Sequence, residues 1–176
     1  GTYTIIIKSE SQYYIADGTY TVSASYSTVT GGVEVEPNDT TAQSLSFDES
    51  LVGQLSSTTD IDKYALDSSG AGTITVSFSS ALRSTYGWEV QLVDSANNIL
   101  SATICASTAC QTGISIPVGV SAAGTYTIII KSESQYYIAD GTYTVSASYS
   151  TVTDGIEFEP NNSSDLANNL ELPFSI

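Results

Sequence analysis

Histidine is absent from the 176 residues, and lysine and arginine together number four against 19 aspartates and glutamates. Without an imidazole, a serine, threonine or cysteine nucleophile has no histidine base and zinc has no histidine ligand. This segment is therefore not expected to be an enzyme. A net charge of −15 repels nucleic-acid phosphates and anionic membrane surfaces, which excludes nucleic acid as a partner. No apolar run approaches the roughly 18 residues of a spanning helix, so membrane insertion is not expected. Cysteine is scarce too. Cys105 and Cys110 bracket the four residues ASTA, too few thiols for a zinc site. They form a local disulfide in an oxidising compartment, or remain two buried thiols in a reducing one.

What is present points outward from the cell. Serine and threonine make up about 29% of the chain, and 12 tyrosines outnumber 4 phenylalanines. Such a hydroxyl-rich composition suits β-strands with one polar face and fits secreted surface proteins. The excess of carboxylates offers oxygen ligands to divalent cations.

The chain also repeats itself. GTYTIIIKSESQYYIADGTYTVSASYSTVT at residues 1–30 returns without a mismatch at 124–153, a period of 123 residues. Similarity continues in GGVEVEPNDTT (31–41) against DGIEFEPNNSS (154–164). The expected organisation is a tandem array cut out of register: the C-terminal part of one repeat (1–31), one complete repeat (32–153) and the N-terminal part of the next (154–176).

Within the complete repeat, alternation has the period of two that marks half-buried strands. GTITVSFSS places Ile74, Val76 and Phe78 on one face and Thr73, Thr75, Ser77 and Ser79 on the other. WEVQL aligns Trp88, Val90 and Leu92, and GTYTVSASY aligns Tyr143, Val145, Ala147 and Tyr149. In ISIPVGV, Pro117 marks an edge or irregular strand. Further strands are expected near 50–55, 62–67, 98–105 and 124–131. The only helical candidate is the short stretch Asn38–Ser44. About eight strands in some 120 residues predict an antiparallel β-sandwich.

The ordered segments EVEPNDTTAQSL (34–45), DIDKYALD (60–67), GTITVSF (72–78), VQLVDSANNIL (90–100), GTYTIIIKS (124–132) and GTYTVSASY (141–149) carry a family resemblance. The repeat resembles the bacterial pre-peptidase C-terminal domain, a jelly-roll-like β-sandwich found beside secreted peptidases and in large surface proteins. The cysteine pair and ALRSTYG (81–87) depart from the family pattern. The resemblance implies calcium near the repeat's start, on Glu36, Asn38 and Asp39, with Asp60 and Asp62 as further ligands. It also implies collagen or polysaccharide as a ligand of some members.

Hard cations take six to eight oxygens, and Glu36-Pro-Asn-Asp39 gathers several at one restrained turn. Asp60 and Asp62 lie two apart on a strand start, hence on one face. The bland alternative is a capped turn with solvated acids. Tyr136 and Tyr137 are candidate contact aromatics, for a sugar or an adjoining repeat. In an extended segment they would face opposite ways. Asn38-Asp-Thr40, Asn161-Asn-Ser163 and Asn162-Ser-Ser164 match the N-glycosylation pattern. The expected function is a structural repeat of a secreted surface protein, an extracellular filament or an adhesin stalk. It would act through contacts with neighbouring copies, within or between chains. The alternative is an accessory module tethering a secreted hydrolase to collagen or polysaccharide.

Overall fold

The computed structural model describes residues 4–9, 13, 18–24, 32–80, 86–106, 108–139, 141–151, 157–161, 164 and 167. Among these residues, nine strands form two facing sheets: β1 (Gln43–Ser44), β2 (Ser50–Gly53), β3 (Ile61–Ser68), β4 (Gly72–Ser80), β5 (Trp88–Val93), β6 (Ile99–Cys105), β7 (Ile114–Val120), β8 (Gly124–Ser132) and β9 (Tyr143–Ser150). One sheet has the order β1-β3-β8-β5-β6 and the other β2-β9-β4-β7. Every pairing is antiparallel except that of β1 with β3. The β-sandwich expected from the alternation is the fold observed.

Alternation sets what each sheet buries. Ile74, Val76 and Phe78 of β4 point inward, as do Tyr143, Val145 and Ala147 of β9. They meet Tyr64 and Leu66 of β3, Val90 and Leu92 of β5, and Ile128 and Ile130 of β8. Outward, the β4–β9 ladder pairs hydroxyl with hydroxyl: Thr73 with Ser150, Thr75 with Ser148, Ser77 with Ser146 and Ser79 with Thr144. β7, which carries Pro117, is an edge strand, where a missing donor breaks no inner ladder.

Two expectations need correction. Asn38–Ser44 is not helical but a bend leading into β1, because the Glu36 carboxylate takes the Asn38 N–H at 3.0 Å. The one helix among the described residues is α1 (Thr108–Thr112), a single turn that carries the second cysteine. Cys105 at the end of β6 and Cys110 in α1 are joined by a disulfide, and both are buried. So short a helix has no stripe to read; its tie to β6 holds it. Among the described residues, no helix is long and apolar enough to cross a membrane.

The N-terminal copy behaves differently from its twin. Residues 4–9 and 18–24 repeat the sequence of β8 and β9 yet form no strand. Ile5 is 58% exposed, whereas Ile128, its counterpart one period on, is fully buried. Truncating Ile128 to alanine is expected to cost about 2–5 kcal/mol, the range for a large core side chain. The same change at Ile5 should cost less than about 0.5 kcal/mol. Urea unfolding of the two variants checks this, and equal losses would show that the first copy is folded like the second.

Candidate metal centre

The turn Glu34-Val-Glu-Pro-Asn38 crosses one end of the sandwich and is fixed at both flanks. Gln43 accepts the Val35 N–H at 2.8 Å and donates to the Val33 carbonyl at 3.1 Å, so one amide side chain holds two backbone groups. Glu34 accepts the Gln54 N–H at 3.0 Å and the Asn38 side-chain amide at 2.9 Å. Because side chains alternate along the extended stretch, Glu34 and Glu36 share one side and Val35 takes the other.

β3 starts beneath this turn and supplies Asp62, with Asp60 immediately before it. Carboxylate oxygens of Glu34, Glu36 and Asp62 lie within 4.8 Å of one another, as do those of Glu36, Asp39 and Asp60. The two triads share Glu36. Asp39 accepts the Ile61 N–H at 3.3 Å, and Asp60 accepts the Ser56 N–H. The ion pair among the described residues is elsewhere, between Lys131 and Glu89 at 3.2 Å.

Two tyrosines seal the inner side. The Tyr143 hydroxyl donates to Asp62 at 2.5 Å and lies 2.5 Å from the Tyr64 hydroxyl, which donates to Glu34 at 2.8 Å. The Tyr143 ring packs on Phe78 and Trp88, with centroids 5.5 and 5.2 Å away. Gly53 lies under both hydroxyls. A Cβ there would collide with the Tyr143 hydroxyl and approach that of Tyr64 to 2.9 Å.

Burial dominates the electrostatics. Asp62 is wholly inaccessible, and desolvation pushes its pKa up to about 8; the Tyr143 bond opposes the rise and Glu34 adds to it. Glu36 is also raised, by burial and then by Asp60, Glu34 and Asp39, against the Asn38 N–H. For Asp60, burial is outweighed by the bonds from Ser56, and the pKa falls. Burial raises both Tyr64 and Tyr143, which stay neutral donors.

One oxygen each of Asp62 and Asn38 is buried without a hydrogen-bond partner. An orphaned buried acceptor is costly, and a hard cation satisfies it. All the ligands on offer are oxygens, with no nitrogen or sulfur, so the residues present fit a calcium-type ion. Glu36, Asp39, Asp60 and Asp62, named from the sequence, come together here, and Asn38 is buried beside them. Sequence reasoning missed Glu34, Tyr64, Tyr143 and Gly53. Only Glu34 left a signal, as the partner of Glu36 two residues away, repeated as Glu157 and Glu159.

Asn38 is 1% exposed and its amide is engaged by Glu34. Asn161 is held likewise by Glu157, and Asn162 lies outside the described residues. Tyr136 and Tyr137 sit in a bend rather than an extended strand, so both face solvent, at 76% and 52% exposure. Tyr137 stacks on Tyr86 with centroids 4.1 Å apart and planes 5° from parallel.

No protein-family model matches the chain, and no curated protein does. Among solved structures, the fold is similar to the pre-peptidase C-terminal domain of a collagenase from Bacillus anthracis, at 18% identity and a TM-score of 0.49. The match covers 65% of this chain and 99% of that one. It belongs to the family that the sequence motifs resemble. A carbohydrate-binding module from Clostridium stercorarium, solved with cellobiose, matches at 15% identity and a TM-score of 0.33, covering 62% of this chain and 98% of that one.

The Asp62 shift fixes a pH dependence. Its folded pKa near 8 lies above the unfolded value of about 4, so the folded state keeps a proton that the unfolded state has lost. This group's contribution to stability therefore falls as pH rises from about 4 to about 8. In the presence of chelator, Tm should drop between pH 5 and pH 8, and more steeply than in Asp62→Asn. Added calcium should raise the Tm of the parent protein at pH 8 and do so much less in the variant. Scanning calorimetry decides the matter, and an equal calcium response in both proteins removes Asp62 from the ligand set.

Proposed function

We propose that this chain is a stretch of a tandem-repeat array, with units 1–31, 32–153 and 154–176, and that its repeats are structural links of a secreted surface protein or extracellular filament. One observation carries the reading. The Glu-x-Glu-Pro-Asn turn at 157–161 is built by the same bonds as the turn at 34–38. The Asn161 N–H goes to Glu159 at 2.9 Å and its side-chain amide to Glu157, matching Asn38 with Glu36 and Glu34. A turn rebuilt one period on by the same two bonds supports repetition of the structure, with Asn162 standing where the first turn has Asp39.

In this reading the repeat is non-catalytic and works by length and stiffness. The sandwich supplies the rod, the disulfide fixes the loop after β6, and calcium bound by Glu34, Glu36, Asn38, Asp39, Asp60 and Asp62 ties the entering segment to β3. Neighbouring copies are the partners. Two exposed tyrosines, with Tyr137 stacked flat on Tyr86, favour a second reading, an accessory module holding a secreted hydrolase on collagen or polysaccharide.

Negative-stain electron microscopy of the native secreted material, with and without chelator, tests the proposal. Uniform or beaded fibres that soften on chelation are expected. Compact particles with a large head and one or two small appendages would overturn the filament reading and favour the tether.

A further inference from the structure

We infer that the free edge of β7 is the docking surface for the start turn of the following repeat, and that Val35 is this repeat's own plug for the β7 edge of a copy before it. The inference rests on the tandem reading and specifies the surfaces through which copies meet.

The chain contains both states of the same turn. Phe158 pairs with Gly119 of β7 in a parallel bridge, and the Glu159 N–H donates to the Gly119 carbonyl at 3.2 Å. Phe158 is half-buried by this contact. One period earlier, Val35 takes the place of Phe158 and is 67% exposed. The Glu36 N–H, counterpart of that of Glu159, has no hydrogen bond among the described residues. An apolar side chain and a backbone donor that are engaged in one copy thus stand open in the other.

β7 suits the role. It is the last strand of its sheet, so one side of its backbone is unpaired, the ordinary condition for strand addition. Its sequence, ISIPVGV, has no charge, so an acidic turn can approach without meeting a carboxylate on the strand. Beside the bridge a groove of about 370 Å³ is lined by Leu100, Pro117 and Val118 of this repeat and by Glu157 and Glu159 of the next. One bridge is a small contact. It fixes direction rather than adding much affinity, as a semi-rigid joint requires.

Amide hydrogen exchange read by NMR tests the inference in the 176-residue chain, with Glu36 as the internal control for Glu159. The Glu159 amide should exchange at least about 10-fold more slowly than that of Glu36, and Phe158→Ala should erase the difference without lowering Tm appreciably. Equal rates in the parent chain would overturn the docking. Placing a copy of residues 32–123 ahead of Gly1 completes the preceding repeat. Glu36 should then slow to match Glu159, and a Glu36 amide that stays fast would overturn Val35 as a plug. The outcome is separable from the fibre experiment: compact particles with a slow Glu159 would sink the filament and leave the joint standing.

Discussion

A carboxylate cut off from solvent must be neutralised, and the end of this sandwich is organised around that requirement. Asp62 is wholly buried within reach of Glu34 and Glu36, and one of its oxygens has no partner. A proton or a cation can meet the demand. The proton leaves an orphaned acceptor on Asn38 and crowds acids whose pKa values are already raised. A divalent ion among Glu34, Glu36 and Asp62 would offset the surplus charge and offer the buried Asp62 a partner. Tyr143 carries the consequence into the core, because its ring packs on Phe78 and Trp88 while its hydroxyl holds Asp62. Gly53 keeps the space in which that hydroxyl fits. The state of the acid cluster and the packing of the aromatic core are thus mechanically continuous.

The duplicated thirty residues separate intrinsic preference from context. IIIK at 128–131 lies in β8 between β3 and β5, while the same letters at 5–8 form no strand. Local sequence is identical, so the difference is entirely in what surrounds it. β-propensity describes fitness for a pleated, half-buried surface, and with no such surface the ordering entropy is not recovered. Strand formation at 128–131 therefore comes from the pairing with β3 and β5 rather than from the local sequence.

Reading the sequence worked where one strand carries its own pattern. β4, β5, β7 and β9 announce themselves by alternation, and Pro117 marks the edge without help from any other strand. The acids Glu36, Asp60 and Asp62 were visible because proximity in sequence, or a shared strand face, already grouped them. Tyr64 and Tyr143 were not, since 79 residues separate them and only the stacking of two sheets brings their hydroxyls together. Gly53 looked like any strand glycine, because the reason for it is a side chain 90 positions away. Helix α1 was invisible for a different cause: five residues held by a disulfide need no amphipathic stripe. For Tyr136 and Tyr137 the expectation of opposite faces held only for an extended segment, and Ser134 instead folds the segment into a bend by accepting both of their N–H groups at 3.2 Å.

In the proposed array, copies of net charge −15 would repel one another wherever acids converge, and the start turn concentrates acids in the segment that would enter the next unit. Alternation resolves the conflict on a single turn. Odd and even positions face opposite ways, so Glu34 and Glu36 turn toward β3 while Val35 turns outward between them. The acids of the start turn are thereby drawn into the site that wants a cation, and the side left for a neighbour is apolar. β7 completes the match from the other side by presenting glycine, proline and aliphatic residues and no charge. A cation in the cluster would also cut the negative field at the proposed joint between repeats. In the proposed array, stiffness within a repeat and contact between repeats would depend on the same turn, Glu34 to Asn38, so a single change of charge there would be felt at both levels.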